Sequence, residues 1–566
     1  MKTAVKGIFI FLIVLFLATT VSAGEVDRDR IIISGHIKDL HGYGVDEAEL
    51  KVLVNGEVYK VNNEEYLTKS APEGTYYAEI ELEKGMIETS KISLEVAKPT
   101  YRTERIELGE FANKGNEYIA SKDIIFIRAI GPAFYIATAV LALIYILISF
   151  EVFHRTVAAL LGAAMLLFIT YTIGTFDSDY FIISFEKALY YIDFNVIGLL
   201  LGMMILVGIM KATGVFQWLA YKSYQAAKGR IWQLAVILVC VTAFTSAFLD
   251  NVTTMILLCP VIFEIALTLK TSPLKFLVPM FIASNFGGTA TLIGDPPNIM
   301  IGSYAGLTFN DFVIALAPFV AISMIPFIAM MYFFWGKEYR GVVVEDVDGL
   351  LEKLREEYRI TDFKLLKYGL GVLAFVIFLF LIHGVLHMEV SIAALTGAAI
   401  LLVISRADVS KVLLNEVEWP TLIFFVGLFV IVGATVETGV IEMIAKIVAD
   451  QSGGNLTVAI LLILWISAIS SAFVDNIPFT ATMLPIVGYL SQVIPGAESM
   501  VLWWALSIGA CYGGNGTLIG ASANVVTAGL AERAGYPISF NEYLKVGMPI
   551  MLVSVLVASI YILIVL

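Results

Sequence analysis

From Pro132 to Leu566, apolar stretches of membrane-spanning length succeed one another with only short polar breaks. A helix needs roughly 20 residues to cross the hydrocarbon core of a bilayer. In lipid every backbone N–H and C=O must find its partner inside the protein, so stretches of this kind adopt helices. Ten of them fit a single span: 132–150, 156–174, 195–213, 276–300, 312–335, 364–386, 389–405, 418–439, 500–526 and 545–566. Two regions, 231–269 and 455–493, are too long for one span and, once their central polar residues are allowed for, too short for two. Each is expected to enter the membrane and turn back as a re-entrant hairpin. The expected fold is an all-α polytopic membrane protein with about ten transmembrane helices plus two hairpins. Composition agrees, since 59% of residues are hydrophobic, 15% are charged and the mean hydropathy is +0.86, well outside the soluble range.

The chain before these spans has another character. Lys2 and Lys6 precede the apolar run GIFIFLIVLFLATT, and VSA at 21–23 supplies small residues for cleavage, so 1–23 reads as a signal peptide or anchor. Either form sends the next hundred or so residues outside the cytoplasm. Residues 24–127 alternate polar and apolar, as in ELKVLVNGEVYKV, where Asn55-Gly56 between two strand-like runs is a type I′ hairpin signal. They predict a small N-terminal extracytoplasmic β-sandwich domain, in which His36 and His41 have no catalytic company. Residues 128–335 and 364–566 then form two membrane repeats, joined by a charged cytoplasmic linker at 336–363. The net charge of −13 comes from acids concentrated in the first 125 residues and in that linker, so no nucleic-acid partner is expected; the bilayer is. Cys240, Cys259 and Cys511 lie in apolar segments and suggest neither a disulfide framework nor a thiolate metal site.

Loop charge tests this count of spans. With each hairpin returning to its own side, His154, Arg155, Lys211, Lys222, Lys228, Arg230, Lys270, Lys275, Arg406, Lys411, Arg533 and Lys545 all face the cytoplasm, against Lys187 and Lys446 on the other face. Five spans and one hairpin per half satisfy the pattern.

The two halves are copies. DFNVIGLLLGMMILVGIMKATGV at 193 matches EWPTLIFFVGLFVIVGATVETGV at 418, 225 positions later, pairing Gly202, Gly208, Thr213 and Gly214 with Gly427, Gly433, Thr438 and Gly439. The same offset relates SAFLDN at 246–251 to SAFVDN at 471–476, and Pro260 to Pro485. AALLGAA at 158 mirrors AALTGAA at 393, and GGTATLIGDPPN at 287 mirrors GGNGTLIGASAN at 513. Because each unit crosses the membrane an odd number of times, the copies are inserted upside down relative to each other, an inverted repeat.

The duplicated motifs carry the chemistry. An Asp near the bilayer centre costs about 2.5–3.5 kcal/mol, so Asp250 and Asp475 are expected at a polar cavity where hairpin tips expose backbone groups and Asn251 and Asn476 both cap and coordinate. Paired glycines and a double proline interrupt the next span, leaving half-helix ends inside the membrane. The candidate binding residues are Asp250, Asn251, Thr253, Thr254, Asn285, Gly287, Gly288, Thr289, Thr291, Asp295 and Asn298 in the first half. In the second they are Asp475, Asn476, Gly513, Gly514, Asn515, Thr517, Ser522 and Asn524. Three acids, Asp250, Asp295 and Asp475, with no basic residue in these motifs, favour H⁺ or Na⁺ as coupling ion; Na⁺ would be held at Asp250, Asn251, Asp475 and Asn476. No other cofactor is expected.

SAFLDNVTTMILLCP, SNFGGTATLIGDPPNIMIGS, SAFVDNIPFTATMLP and GGNGTLIGASANVV resemble the ion transporter superfamily, in the branch of arsenite permeases and the melanosomal P protein, across about 130–566. NhaD-type sodium/proton antiporters and divalent anion:sodium symporters are more distant relatives. The resemblance implies an elevator-type secondary transporter in the plasma membrane, commonly a homodimer, that holds a small inorganic or organic ion between two hairpin tips and two broken helices. Asp-Asn stands here where the dicarboxylate symporters carry Ser-Asn-Thr, which weighs against a dicarboxylate and leaves arsenite, antimonite, another small ion, or sodium/proton exchange. An intramembrane aspartyl protease would carry Tyr-Asp and Gly-x-Gly-Asp, and neither surrounds Asp250 or Asp475. A membrane-anchored sensor would need neither the acids nor the broken helices. His383 and His387, spaced i, i+4, read as a metal pair or as ordinary interfacial histidines.

Overall fold

The computed structural model describes residues 28–39, 44–109, 111–114, 117–150, 152–340, 352, 355 and 358–566. The signal or anchor expected at 1–23, His41 and most of the expected linker lie outside these residues. The chain divides into two compact units, at residues 1–131 and 132–566.

In the first unit, period-two alternation builds two sheets. The strand Arg28–Lys38 pairs antiparallel with Thr75–Glu83 and parallel with Glu117–Ser121 and Ile124–Ile125. In the other sheet, Glu49–Val54 lies between Ile92–Ala97 and the short strands Glu57–Val58 and Leu67–Lys69. Asn55 and Gly56 both have positive φ, 54° and 91°, as a type I′ turn demands, and Val54 faces Glu57 across it. Ile31, Ile33 and Ile80 from one sheet and Leu50, Val52 and Leu94 from the other are fully or almost fully buried in a shared core.

The second unit is helical and runs twice through one order of elements. Pro132–Ser149, Arg155–Tyr171, Phe194–Lys211 and Val215–Ala227 are followed by the hairpin arms Ile231–Ser246 and Asn251–Thr268. A broken helix, Leu274–Thr289 and Pro296–Ala305, and the long helix Phe309–Arg340 complete the first copy. The second copy repeats this as Phe363–Leu386, Val390–Ser405, Trp419–Glu437, Val440–Ser452, Leu456–Phe473, Asn476–Val493, Val501–Gly513, Ser522–Arg533 and Phe540–Val565. The copies interlock: Arg155–Tyr171 packs on Trp419–Glu437, and Val390–Ser405 on Phe194–Lys211. A glycine marks each crossing. A Cβ on Gly427 would lie 2.8 Å from the Ala159 carbonyl carbon, and one on Gly202 2.7 Å from that of Ala394.

Among the described residues nine helices are long and apolar enough to cross a membrane. They differ in part from the ten expected stretches. Asn251–Thr268 and Leu456–Phe473, arms of the hairpins, are included. Val390–Ser405 falls short at 16 residues, and Leu274–Thr289 and Val501–Gly513 fall short because the Gly- and Pro-rich breaks cut longer apolar runs in two.

Candidate functional site

Each hairpin reverses at an acid. After Ile231–Ser246 the chain runs through 247–249, and the Asp250 carboxylate accepts from Thr253 N at 2.8 Å to cap Asn251–Thr268. At the second tip Asp475 accepts from Ile477 N at 3.0 Å and caps Asn476–Val493. The first turn of a helix has N–H groups without partners and a partial positive charge, so an anionic acceptor is favoured there. The sequence pattern pointed to Asn251 and Asn476 as caps; the structure assigns that role to the preceding Asp, and both amides reach across the site instead. A helix terminus returns about 0.3–1 kcal/mol, up to about 2 when partly buried, against about 2.5–3.5 kcal/mol for an Asp at the bilayer centre. The caps cannot hold these charges unaided.

The Asn side chains join the tips to the broken helices. Asn251 Nδ2 donates to Asn285 Oδ1 at 3.0 Å, and Asn285 Nδ2 donates to Asn515 Oδ1 at 2.9 Å and Asn524 Oδ1 at 3.1 Å. Asn476 Nδ2 lies 3.3 and 3.4 Å from the two oxygens of Asp295. Asp295 stands at the start of Pro296–Ala305 without a side-chain capping bond, is fully buried, and has Asp475 and Asp250 within electrostatic reach. The polar groups of both copies therefore meet in one cluster. Thr254 Oγ1 and Asn515 Nδ2 are buried there without a partner among the described residues.

Other predicted residues build the frame. Thr289 Oγ1 bonds back to Asn285 O at 2.8 Å, while the Thr291 and Thr517 hydroxyls donate to the carbonyls of Ala247 and Ala472, tying each break to its tip. Asn298 Nδ2 bridges the first break through the carbonyls of Gly288, Thr289 and Thr291 at 3.3, 3.1 and 2.9 Å. Asn524 Nδ2 bridges the second through Gly514 and Thr517 at 2.7 and 3.0 Å. Gly287 and Gly513 are crossing points, where an added Cβ would sit 1.9 Å from Ala243 O and 2.4 Å from Ala468 O. Thr253 contributes its backbone N–H to the Asp250 cap.

Several residues at the site were not singled out by the sequence pattern. Ser246 Oγ donates to Ser284 O at 2.7 Å and Ser471 Oγ to Ala510 O at 2.6 Å, fastening each hairpin arm to its broken helix; the Ser opening both SAF motifs was the available signal. Tyr145 donates to Pro478 O at 2.8 Å. Arg155, expected in a cytoplasmic loop, instead places Nη1 3.5 Å from Asp475 Oδ2, bonds the Ser522 hydroxyl, and donates through Nη2 to Thr421 Oγ1 at 3.0 Å. Ser522 Oγ in turn donates to Asp475 Oδ2 at 2.8 Å. The motifs lack basic residues, but the cluster they form does not. Glu418, also unforeseen, lies within electrostatic reach of Arg155 and Asp250. His383 and His387 form no pair: His383 accepts from Phe309 N at 3.1 Å and sits 3.1 Å from Met388 O, while His387 ends its helix in the left-handed conformation.

Comparison with known proteins matches this chain, over residues 145–509, to the family model CitMHS, described as citrate transporter. An uncharacterized transporter of Mycobacterium tuberculosis is 42% identical over 429 residues, covering 75% of this chain and 97% of that protein. The P protein of Homo sapiens is 36% identical over 509 residues, covering 76% of this chain and 59% of that protein. Among solved structures, the YdaH transporter of Alcanivorax borkumensis aligns over 72% of this chain and 98% of its own, with 15% identity and a TM-score of 0.49. With a family model matched along most of the helical unit and the mycobacterial relative aligned almost end to end, this chain belongs to the citrate transporter family and is a multi-pass membrane transporter rather than an enzyme.

Proposed function

We propose that this transporter moves a small ion across the plasma membrane by an elevator-type alternating-access cycle coupled to H⁺ or Na⁺ through its hairpin-tip carboxylates. One observation carries the reading: Asp250, Asp295 and Asp475, each at the start of a helix, share one cluster whose sole ion pair, among the described residues, is the one Arg155 makes with Asp475. Such an excess of negative charge at membrane depth draws a cation. The residues assigned to the ion are Asp250, Asn251, Asn285, Asp295, Asp475, Asn476, Asn515 and Ser522, with the remaining Thr, Gly and Asn residues as frame. The elevator reading draws support from the packing, in which hairpin arms associate with broken helices while Arg155–Tyr171, Phe194–Lys211, Val390–Ser405 and Trp419–Glu437 pack crosswise on one another. The β-unit is extracytoplasmic and the working assembly a homodimer.

For the substrate, arsenite or antimonite comes first. Arsenite is uncharged at neutral pH, adds no charge to the acids, and offers hydroxyls that both donate and accept; the unpartnered Asn515 Nδ2 and Thr254 Oγ1 suit such a ligand. A second reading, sodium/proton antiport with the cation itself as cargo, is favoured by the same excess of carboxylates. Proteoliposomes carrying the purified chain and loaded with pH and Na⁺ dyes decide between them when arsenite, antimonite, citrate and chloride are added in turn. Flux of arsenite or antimonite with H⁺ or Na⁺ supports the first reading, Na⁺-for-H⁺ exchange without added substrate supports the second, and no flux under any gradient overturns both.

A further inference from the structure

We propose that Arg155 and the coupling cation are mutually exclusive partners of Asp475: the guanidinium is a tethered cation that holds the charge position at the second tip until a free cation takes it. This rests on the cation-coupled reading above and says which of the two tips is preoccupied.

The geometry is that of a displaceable neighbour. Arg155 Nη1 stands 3.5 Å from Asp475 Oδ2, beyond the roughly 2.7–2.9 Å of a charge-assisted hydrogen bond. The Ser522 hydroxyl bonds both groups, accepting from Arg155 and donating to Asp475. The guanidinium is also anchored away from the acid, by Thr421 Oγ1 at 3.0 Å and by the Phe424 ring, whose centroid lies 5.4 Å from Cζ. It can therefore remain bound to Trp419–Glu437 while Asp475 changes partner. Ser522 is then free to turn its oxygen to an incoming ion.

The first tip has no equivalent. Arg155 opens Arg155–Tyr171, and the residue opening the matching helix Val390–Ser405 is Val390. The contacts keep this correspondence: Thr156 Oγ1 donates to Pro420 O at 2.6 Å, and Ser391 N donates to Asn195 Oδ1 at 3.0 Å, at equivalent places in the two copies. One copy carries a guanidinium where the other carries an isopropyl group, and no ion pair reaches Asp250 among the described residues. Glu418, which accepts from Thr421 Oγ1 at 3.1 Å, faces Arg155 and Asp250, and Asp295 faces both tip acids. Arg155 thus answers Asp475 and Glu418, and these two acids in turn face Asp295 and Asp250, so removing the guanidinium leaves Asp475 open to a free cation.

The test is equilibrium binding of ²²Na⁺, and in parallel proton uptake read by a pH dye, on the purified full-length chain in detergent. Arg155→Gln is expected to bind the ion that the unsubstituted chain binds about tenfold more tightly, the factor that loss of a competing charge-assisted contact implies. The gain should vanish in Arg155→Gln/Asp475→Asn, and Arg155→Lys should behave as the unsubstituted chain does. Unchanged or weaker binding by Arg155→Gln that still elutes as folded protein, or a gain that survives Asp475→Asn, overturns the proposal. Should Arg155→Gln not fold, Thr421→Val removes the Nη2 anchor; a several-fold change in cation affinity supports competition and none overturns it. If neither Na⁺ nor H⁺ binds even the unsubstituted chain, the cation-coupled reading falls and this proposal with it. Binding by the unsubstituted chain with Arg155→Gln unchanged defeats the proposal alone.

Discussion

The two hairpin tips are built alike and surrounded differently. Both end a serine-anchored arm, both place an Asp at the cap of the next helix, and both send an Asn amide across the site. At the second tip Asp475 has Arg155 and Ser522 beside it, while Asp250 is half-buried and is bonded from the start of its own helix, by Thr253 above all. Asn251 bonds an amide, whereas Asn476 bonds a carboxylate. The duplication has kept what shapes the tips and varied what stands opposite them.

Four experiments break or sharpen this contrast. The largest effect is expected from Asp250→Asn, which removes the acid without an internal cation. Coupled flux in proteoliposomes should fall about a hundredfold, the equivalent of about 3 kcal/mol for a lost charge-assisted contact, while Asp475→Asn falls less because Arg155 already offsets the Asp475 charge. Equal losses would erase the distinction between the tips. The frame should respond in both copies, more strongly in the first. Gly287→Ala, with its Cβ 1.9 Å from a backbone oxygen, should cost about 3 kcal/mol, and Gly513→Ala, at 2.4 Å, about 1–2 kcal/mol, read by thermal unfolding in detergent. A smaller and matched loss of about 1 kcal/mol is expected from Ser246→Ala and from Ser471→Ala, each deleting one buried hydroxyl bond; a large inequality would show that the copies are not mechanically equivalent.

The smallest effect gives a solvent-exposed baseline for the tip acids. In the β-unit, Arg30 and the Tyr77 hydroxyl hold Glu79 below its ordinary carboxylate range. A lowered folded pKa contributes stability above the unfolded value and loses it as pH falls through the folded one. The thermal stability of the β-unit should therefore fall slightly below about pH 4.5, and Glu79→Gln should flatten that slope. Salt should diminish this effect, as it screens exposed pairs, far more than it changes the tips.

Much of this arrangement was legible in the sequence, for reasons that differ by element. Repeats betray themselves because two copies must satisfy the same backbone geometry: Gly287 and Gly513 persist where helices cross at backbone distance, and Asp250 and Asp475 where helices begin. The NG turn at Asn55-Gly56 was readable because few residue pairs accept two positive φ angles. Arg155 was not readable. It lies 320 residues from Asp475, and the loop-charge rule, which counts a basic residue near a span end as cytoplasmic, takes no account of a side chain reaching inward. The caps were half legible, since Asp and Asn are both good caps and only the backbone decides which of two neighbours takes the position. Helix lengths were the weakest point, because an apolar run does not show where glycines and prolines will cut it.

The first strand of the β-unit carries one more consequence. Arg28–Lys38 runs parallel to Glu117–Ser121 and Ile124–Ile125, so its far edge stays open through synthesis of everything between them. The sheet is completed only when residues 117–125 arrive, shortly before Pro132 begins the first long apolar helix among the described residues. Closing a loop of that length is slow compared with forming a local hairpin. The ribosome thus delivers the last strands of this sheet and the helix that begins at Pro132 almost together, and one side of the strand Arg28–Lys38 waits unpaired until that moment.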